Sequence, residues 1–244
     1  VIKDILMKKL IGIMVLVFSA SCTFAATPKT EEEKTLYVLG QLLARQIAPF
    51  ELKKDELQMV MTGFSDGASN AKPQVKMEEY GPKVNEWVQK RSTAIAAAEK
   101  KKGDDFLAKI AKESGVKKAP SGFFYKIEKE GTGEKPKATD RVKVHYHGTL
   151  IDGTVFDSSV ERKEPATFAL DRVIPCWTQG VQELKVGGKM KLYCPSDLAY
   201  GERGSPPTIK GGAALIFDVE LLGIEKETPK PAAPASPAKT PAKK

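Results

Sequence analysis

Apolar residues recur at three- and four-residue spacing early in the chain, first as Leu36, Leu39, Leu43 and Ile47, then as Leu57, Val60, Met61 and Phe64. That period puts each set on one face of a helix and predicts two amphipathic helices. A third helical stretch is expected from about Lys76 to Ser114, with Val84, Trp87, Val88, Arg91 and Ile95 along one side. Its polar run Glu99 to Asp105 has no core-facing stripe and reads as a connector crossing solvent, after which Phe106, Leu107 and Ile110 resume the apolar pattern. Two short helices and half of a long one bury little apolar surface per residue. A partner chain is therefore expected to cover them, against the alternative of a compact three-helix cap folding back on the second half.

After Pro120 the period changes from helical to short runs rich in Val, Ile, Phe and Tyr, broken by Gly and Pro: Phe123 to Lys129, Arg141 to Leu150, Ala166 to Leu170, Lys189 to Cys194 and Leu215 to Ile224. These predict strands. Trp177, Val181 and Leu184 return to helical spacing, closed by Val186-Gly187-Gly188. One helix laid on one antiparallel sheet is an α+β domain. The expected organisation is a helical segment over 27–115 and a mainly β domain over 117–226.

The two ends differ from both halves. Met7-Lys8-Lys9, the apolar run Leu10 to Phe18 and the small residues near Thr23-Phe24-Ala25 have the order of a secretory signal, expected over 1–25 with Met7 as its initiator. The apolar run is far short of the ~20 residues that span a bilayer. Cys22 stands where a lipoprotein carries its lipidated cysteine, but Ser19 stands where such signals place a Leu-like residue, so simple cleavage after Ala25 is the expectation. Export to the periplasm or cell envelope follows. Cleavage leaves Cys176 and Cys194, and two cysteines in an oxidising compartment suggest one disulfide. The tail over 228–244, rich in Pro, Ala and Lys, has no large apolar residue to offset its ordering entropy and is expected to be disordered.

The net charge of +8 raises nucleic-acid binding, but the lysines are scattered and no basic patch is interleaved with aromatics. That class is set aside.

The strand runs, read in order, resemble the FKBP family of peptidyl-prolyl isomerases over about Lys117 to Lys226. The resemblance rests on the run from Val142 through His145-Tyr146-His147-Gly148 to Leu150, then Asp152-Gly153-Thr154-Val155-Phe156-Asp157-Ser158-Ser159, then Val173-Ile174-Pro175-Cys176-Trp177. It continues through Val186-Gly187-Gly188-Lys189, Leu198-Ala199-Tyr200-Gly201 and Leu215 to Leu222. Each piece alone is weak, and their order is what carries weight. The helical first half behind a signal is similar to the exported bacterial subfamily typified by macrophage infectivity potentiators and periplasmic FKBP chaperones. That likeness implies a homodimer through the N-terminal helices, with a long helix connecting them to each isomerase domain.

Rotation about a prolyl peptide bond needs no nucleophile, metal or cofactor, only a site that binds the twisted amide better than either planar form. The resemblance implies such a site: an apolar bowl of Phe156, Phe168, Val173, Ile174, Trp177, Ile209 and Phe217, with Trp177 as its floor. It assigns catalytic roles to Tyr146, Asp157 and Tyr200, with the Ile174 backbone N–H and the Tyr200 hydroxyl as donors to substrate carbonyls. Without the family, these aromatics are an ordinary core and Asp157 is a residue following the Asp152-Gly153 turn. Unfolded or proline-containing exported polypeptides are the implied clients, and macrolides the implied inhibitors. The competing reading is a holdase or docking protein with little isomerase activity.

Cys176 and Cys194 depart from the Gly and the aliphatic residue usual in the family at those positions, so the expected disulfide ties the start of the helix to a central strand; two buried free thiols are the alternative. The loop Glu202 to Gly212 keeps the family's length but departs from its apolar-then-proline pattern around Lys210-Gly211. His145 and His147 share a strand face, opposite Tyr146, but no third ligand is in view and no metal is expected.

Overall fold

The computed structural model describes residues 27–225. The expected signal segment, with Cys22, and the Pro-rich tail lie outside them. The described residues divide into two compact units between Leu43 and Ala44.

Three helices come first, α1 (Glu31–Ile47), α2 (Lys54–Ala68) and α3 (Met77–Ile110). The start of α1 is specified locally. Thr30 Oγ1 accepts from the Glu33 N–H at 3.1 Å and Glu33 returns a carboxylate to the Thr30 N–H at 2.9 Å, so two orphan donors are satisfied. Glu31, Glu32 and Glu33 in the first turn and Arg45 in the last complement the helix dipole. Neither α1 nor α2 buries a residue, and α3 buries only Ala96, Gly103, Leu107 and Ile110.

Seven antiparallel strands follow: β1 (Lys117–Lys118), β2 (Phe124–Lys129), β3 (Arg141–Leu150), β4 (Val155–Ser158), β5 (Ala166–Ala169), β6 (Lys189–Cys194) and β7 (Leu215–Glu225). Their order is β1-β2-β6-β7-β3-β4, with β5 also paired to β3. β4 and β5 share one edge of β3, opposite Gly148 and Val144 respectively, so the Ser159–Pro165 segment between them loops away from the sheet. The single short helix α4 (Pro175–Gly180) is followed by a 3-10 turn at Val181–Glu183, so the predicted Trp177–Leu184 helix is two pieces.

Alternation along the strands separates two faces. Val142, Val144, Leu192 and Phe217 pack with Trp177 and Val181 in the main core, whereas Phe124, Tyr193 and Ala214 pack with Leu107 and Ile110 of α3 on the other side. The expected α+β architecture is present. One expectation is corrected: the Glu99–Asp105 stretch of α3 is not a connector through solvent. Gly103 lies so close to Ala214 that a Cβ on it would stand 2.9 Å from the Ala214 methyl. Small residues let the helix approach without an apolar stripe, which is why the periodicity did not reveal the contact.

Candidate active site

The concave side of the sheet holds a cavity of about 310 Å³ around Trp177. Pro175 occupies the first turn of α4, where its fixed φ suits a helix start and its missing N–H costs nothing. The Ile174 carbonyl caps that turn, accepting from the Trp177 N–H at 2.9 Å and the Thr178 N–H at 3.1 Å. This sets the indole as a floor. Tyr146, Phe168 and Phe217 stand edge-on to it, with ring centroids 5.4, 5.6 and 5.3 Å away and interplanar angles of 89°, 82° and 80°. Phe156 stands edge-on to Phe217 in turn. Edge-to-face rings keep one another from tilting inward, so the bowl stays open.

The mouth is polar. From β3, the Tyr146 hydroxyl donates to Asp157 Oδ2 on β4; Arg162, in the loop after β4, pairs with Asp157 Oδ1 and donates to the Tyr146 oxygen at 2.9 Å. Burial pushes the Tyr146 hydroxyl up, and its bond to Asp157 pushes the same way. Burial also acts to raise Asp157, but the bonds from Tyr146 and Arg162 outweigh it and hold the carboxyl below the usual aspartate range. Both Asp157 oxygens are therefore engaged, and the ionised form of the carboxyl is the one these bonds favour.

Tyr146, Phe156, Asp157, Phe168, Val173 and Ile174 line this one cavity together with Trp177, Tyr200 and Phe217. Ile209 is placed beside them, in an adjoining cavity of about 290 Å³ that also touches Phe156, Asp157 and Tyr200. Among the described residues, the Ile174 N–H has no backbone hydrogen-bond partner and the buried Trp177 Nε1 has no partner at all. Arg162 and Arg172, which reaches the cavity wall, were not foreseen. Only the fivefold residue offset from Asp157 to Arg162 hints at the pair, and nothing local signals Arg172.

Cys176 on α4 and Cys194 at the end of β6 are joined in a disulfide with Cα atoms 5.8 Å apart, both fully buried. His145 and His147 instead point Nδ1 at Ser159 and Ser158, and among the described residues no cluster of three or more metal-binding side chains occurs. A larger cavity of about 470 Å³, bounded by Glu99, Lys102, Asp152 and Lys210, has no aromatic lining.

The profile of the FKBP-type peptidyl-prolyl cis-trans isomerases matches residues 132–222, and that of the domain amino terminal to such isomerases matches 32–127. The isomerase FkpA of Aeromonas hydrophila is 46% identical over 218 residues, 83% of this chain and 81% of the relative. The chain belongs to the FKBP-type peptidyl-prolyl cis-trans isomerases. A second relative, the outer membrane protein MIP of Legionella longbeachae, is 36% identical over 89% of this chain and 98% of its own. The crystal structure of FkpA from Escherichia coli superposes with a TM-score of 0.62 at 37% identity, covering 82% of this chain and 99% of that one. As an FKBP-type isomerase the protein interconverts cis and trans prolyl bonds, which are slow enough to limit folding, and so assists the folding of other chains.

Proposed function

We propose that the Trp177 bowl is the prolyl site of this isomerase and that its clients are unfolded, proline-containing exported polypeptides. The observation that carries this reading is the ring arrangement: Tyr146, Phe168 and Phe217 stand nearly perpendicular to the indole around a cavity of about 310 Å³, with Asp157 pinned at its mouth. A prolyl amide that enters loses the hydration that favours its planar, dipolar form. The Ile174 N–H and the Tyr200 hydroxyl then bond the carbonyls flanking the proline. Donors held in place stabilise a twisted carbonyl without reorganising, which is where the rate gain arises. No covalent step is involved. Trp177, Phe156, Phe168, Val173 and Phe217 bind and desolvate; Tyr146 and Arg162 hold Asp157.

The helices supply a second part of the reading. Leu36, Leu39, Leu42 and Leu43 on α1, Leu57, Val60, Met61 and Phe64 on α2, and Val84 and Trp87 on α3 are all exposed. Apolar stripes of this size on solvent are interaction surfaces, and a second copy presents the same stripes in a form that closes by two-fold symmetry. A homodimer through these helices follows, in the periplasm or envelope, where Cys176 and Cys194 pair. Among the described residues no helix is long and apolar enough to cross a membrane.

The test is the cis-to-trans rate of a short prolyl peptide with the mature chain, residues 27–244, with and without a macrolide. Acceleration that the macrolide abolishes supports the bowl. Acceleration that persists would place the activity elsewhere, and none at all would favour the holdase. Sedimentation of the same chain tests the dimer.

A further inference from the structure

The loop Gly201–Gly212 forms the outer wall of the cavity beside the bowl. Ser205 and Ile209 exchange both backbone hydrogen bonds, at 2.8 and 3.0 Å, so its tip is a closed unit. Ile209 is buried within that tip, at the cavity it shares with Phe156, Asp157 and Tyr200. Behind the tip, the backbone presses on α3 where no side chain fits: a Cβ on Gly212, at φ +79°, would stand 2.0 Å from the Ala96 carbonyl oxygen. Lys210 lies between these two anchors. Its ammonium pairs with the Glu51 carboxylate and lies 3.8 Å from that of Glu99 on α3.

Glu51 belongs to the turn before α2, far from the loop in sequence, and it is held there firmly. Its φ of +48° lies in the left-handed region, which a non-glycine residue keeps only where its surroundings impose it. Arg91 of α3 imposes it: Nη2 donates to the Glu51 carbonyl and Nε to the Phe50 carbonyl, both at 2.9 Å. The rest of the guanidinium grips Glu56 with two bonds, at 3.0 and 2.8 Å, and Phe50 packs edge-on against Trp87. A backbone fixed in this way delivers its carboxylate to one place.

We propose that Glu51 is a positioning residue for the isomerase site: through Lys210 it fixes the Ser205–Ile209 wall, and so sets affinity for the residues flanking the proline. This rests on the bowl being the prolyl site. Of the groups assigned to the twisting amide, Trp177, Asp157 and Ile174 lie on elements that Glu51 does not touch, and Tyr200, at the start of the loop, is held by its own turn, its carbonyl accepting from the Gly204 N–H at 3.0 Å, so the effect of Glu51 falls on KM rather than on kcat. Both partners are partly exposed, at 41% and 46% of their side-chain surface, so the pair is screened and its effect is modest and salt-dependent. The departure at Lys210 from the family's loop pattern is thereby explained: this lysine serves a carboxylate outside the isomerase domain.

The experiment is steady-state kinetics of the mature chain with an uncharged apolar-Xaa-Pro peptide. Glu51→Gln and Lys210→Gln are each expected to raise KM about two- to five-fold, the range of a screened ion pair, with kcat unchanged. Lys210→Arg keeps the parent KM. The Glu51→Gln/Lys210→Gln double variant is no worse than either single one, because both remove the same interaction. Raising salt from about 0.05 to about 1 M raises the parent's KM but not that of Glu51→Gln, an arm that reports on the pair in the unmutated protein. Parent KM in both single variants, additive effects in the double one, or a lower melting temperature with both kinetic constants unchanged would overturn the proposal. Asp157→Asn is measured alongside. If it too is without effect, the site reading itself fails; if it lowers kcat while Glu51→Gln does nothing, only the positioning role does.

Discussion

The Tyr146 hydroxyl on β3 donates to the Asp157 carboxylate on β4, and Arg162 bonds to both, so the mouth of the bowl is a closed three-residue ring. β3 and β4 are adjacent, with Gly148 opposite Asp157, so the two side chains approach from neighbouring strands while the loop after β4 returns Arg162 between them. Removing one member leaves one bond between the other two and takes one partner from each of them at a half-buried site, which costs most where the group removed is the carboxylate that both of the others bond.

Asp157→Val is therefore expected to lower kcat/KM about ten-fold or more, since losing a hydrogen bond to a charged group costs about 1.5–3 kcal/mol. Arg162→Leu leaves the Tyr146 bond in place and should cost less. Prolyl-peptide kinetics on both variants give the ratio, and an Arg162→Leu loss exceeding that of Asp157→Val would contradict this ordering.

The same ring predicts the pH profile. Asp157 has a depressed folded pKa, so the stability it contributes is present above the ordinary aspartate value of ~3.9 and lost as pH falls through the lower folded value. Tyr146 is shifted up, so its contribution holds below the ordinary tyrosine value of ~10 and is lost as pH rises through the higher folded one. Activity is expected to be flat between about pH 5 and about pH 9. A midpoint inside that window would show that another group titrates in catalysis.

Gly148 is predicted to be intolerant of a methyl group. A Cβ there would meet Phe156 Cζ at 2.6 Å and Phe217 Cε1 at 3.1 Å, with both rings already fixed edge-on. Gly148→Ala should push the rings into the bowl, destabilise the fold by about 1–3 kcal/mol and raise KM. Denaturant melts together with kinetics separate the two effects.

The disulfide closes a loop between residues 18 apart in sequence, a span for which chain-entropy arguments give about 3 kcal/mol. Cys194→Ala, or reduction in mild denaturant, should lower stability by about that amount. In the oxidised chain 27–244, a thiol reagent added after denaturation should find no free cysteine.

How much of this was legible in the residues differs by element. β3 and β6 begin and end where the alternation of Arg141–Leu150 and Lys189–Cys194 placed them, because a half-buried strand writes its two faces directly into the chain. β4 was not expected as a strand: Val155–Ser158 is too short to show a period and pairs only because the Asp152-Gly153 turn, with Gly153 at φ +86°, folds it back on β3. The bowl residues became readable together only through the ordered family motif, since taken singly each aromatic is an ordinary core residue.

The sequence by itself determined the helical and strand periods, the two cysteines of the second half and the family, because these are properties of neighbouring residues or of motifs in fixed order. Only the tertiary structure decided that Arg162 closes the ring on Asp157, that Gly103 brings α3 against Ala214, and that Glu51 reaches Lys210. Each joins groups whose separation along the chain carries no period, and whose pairing depends on where rigid elements bring them: a charge or a glycine announces its chemistry in the sequence, but its partner only in space.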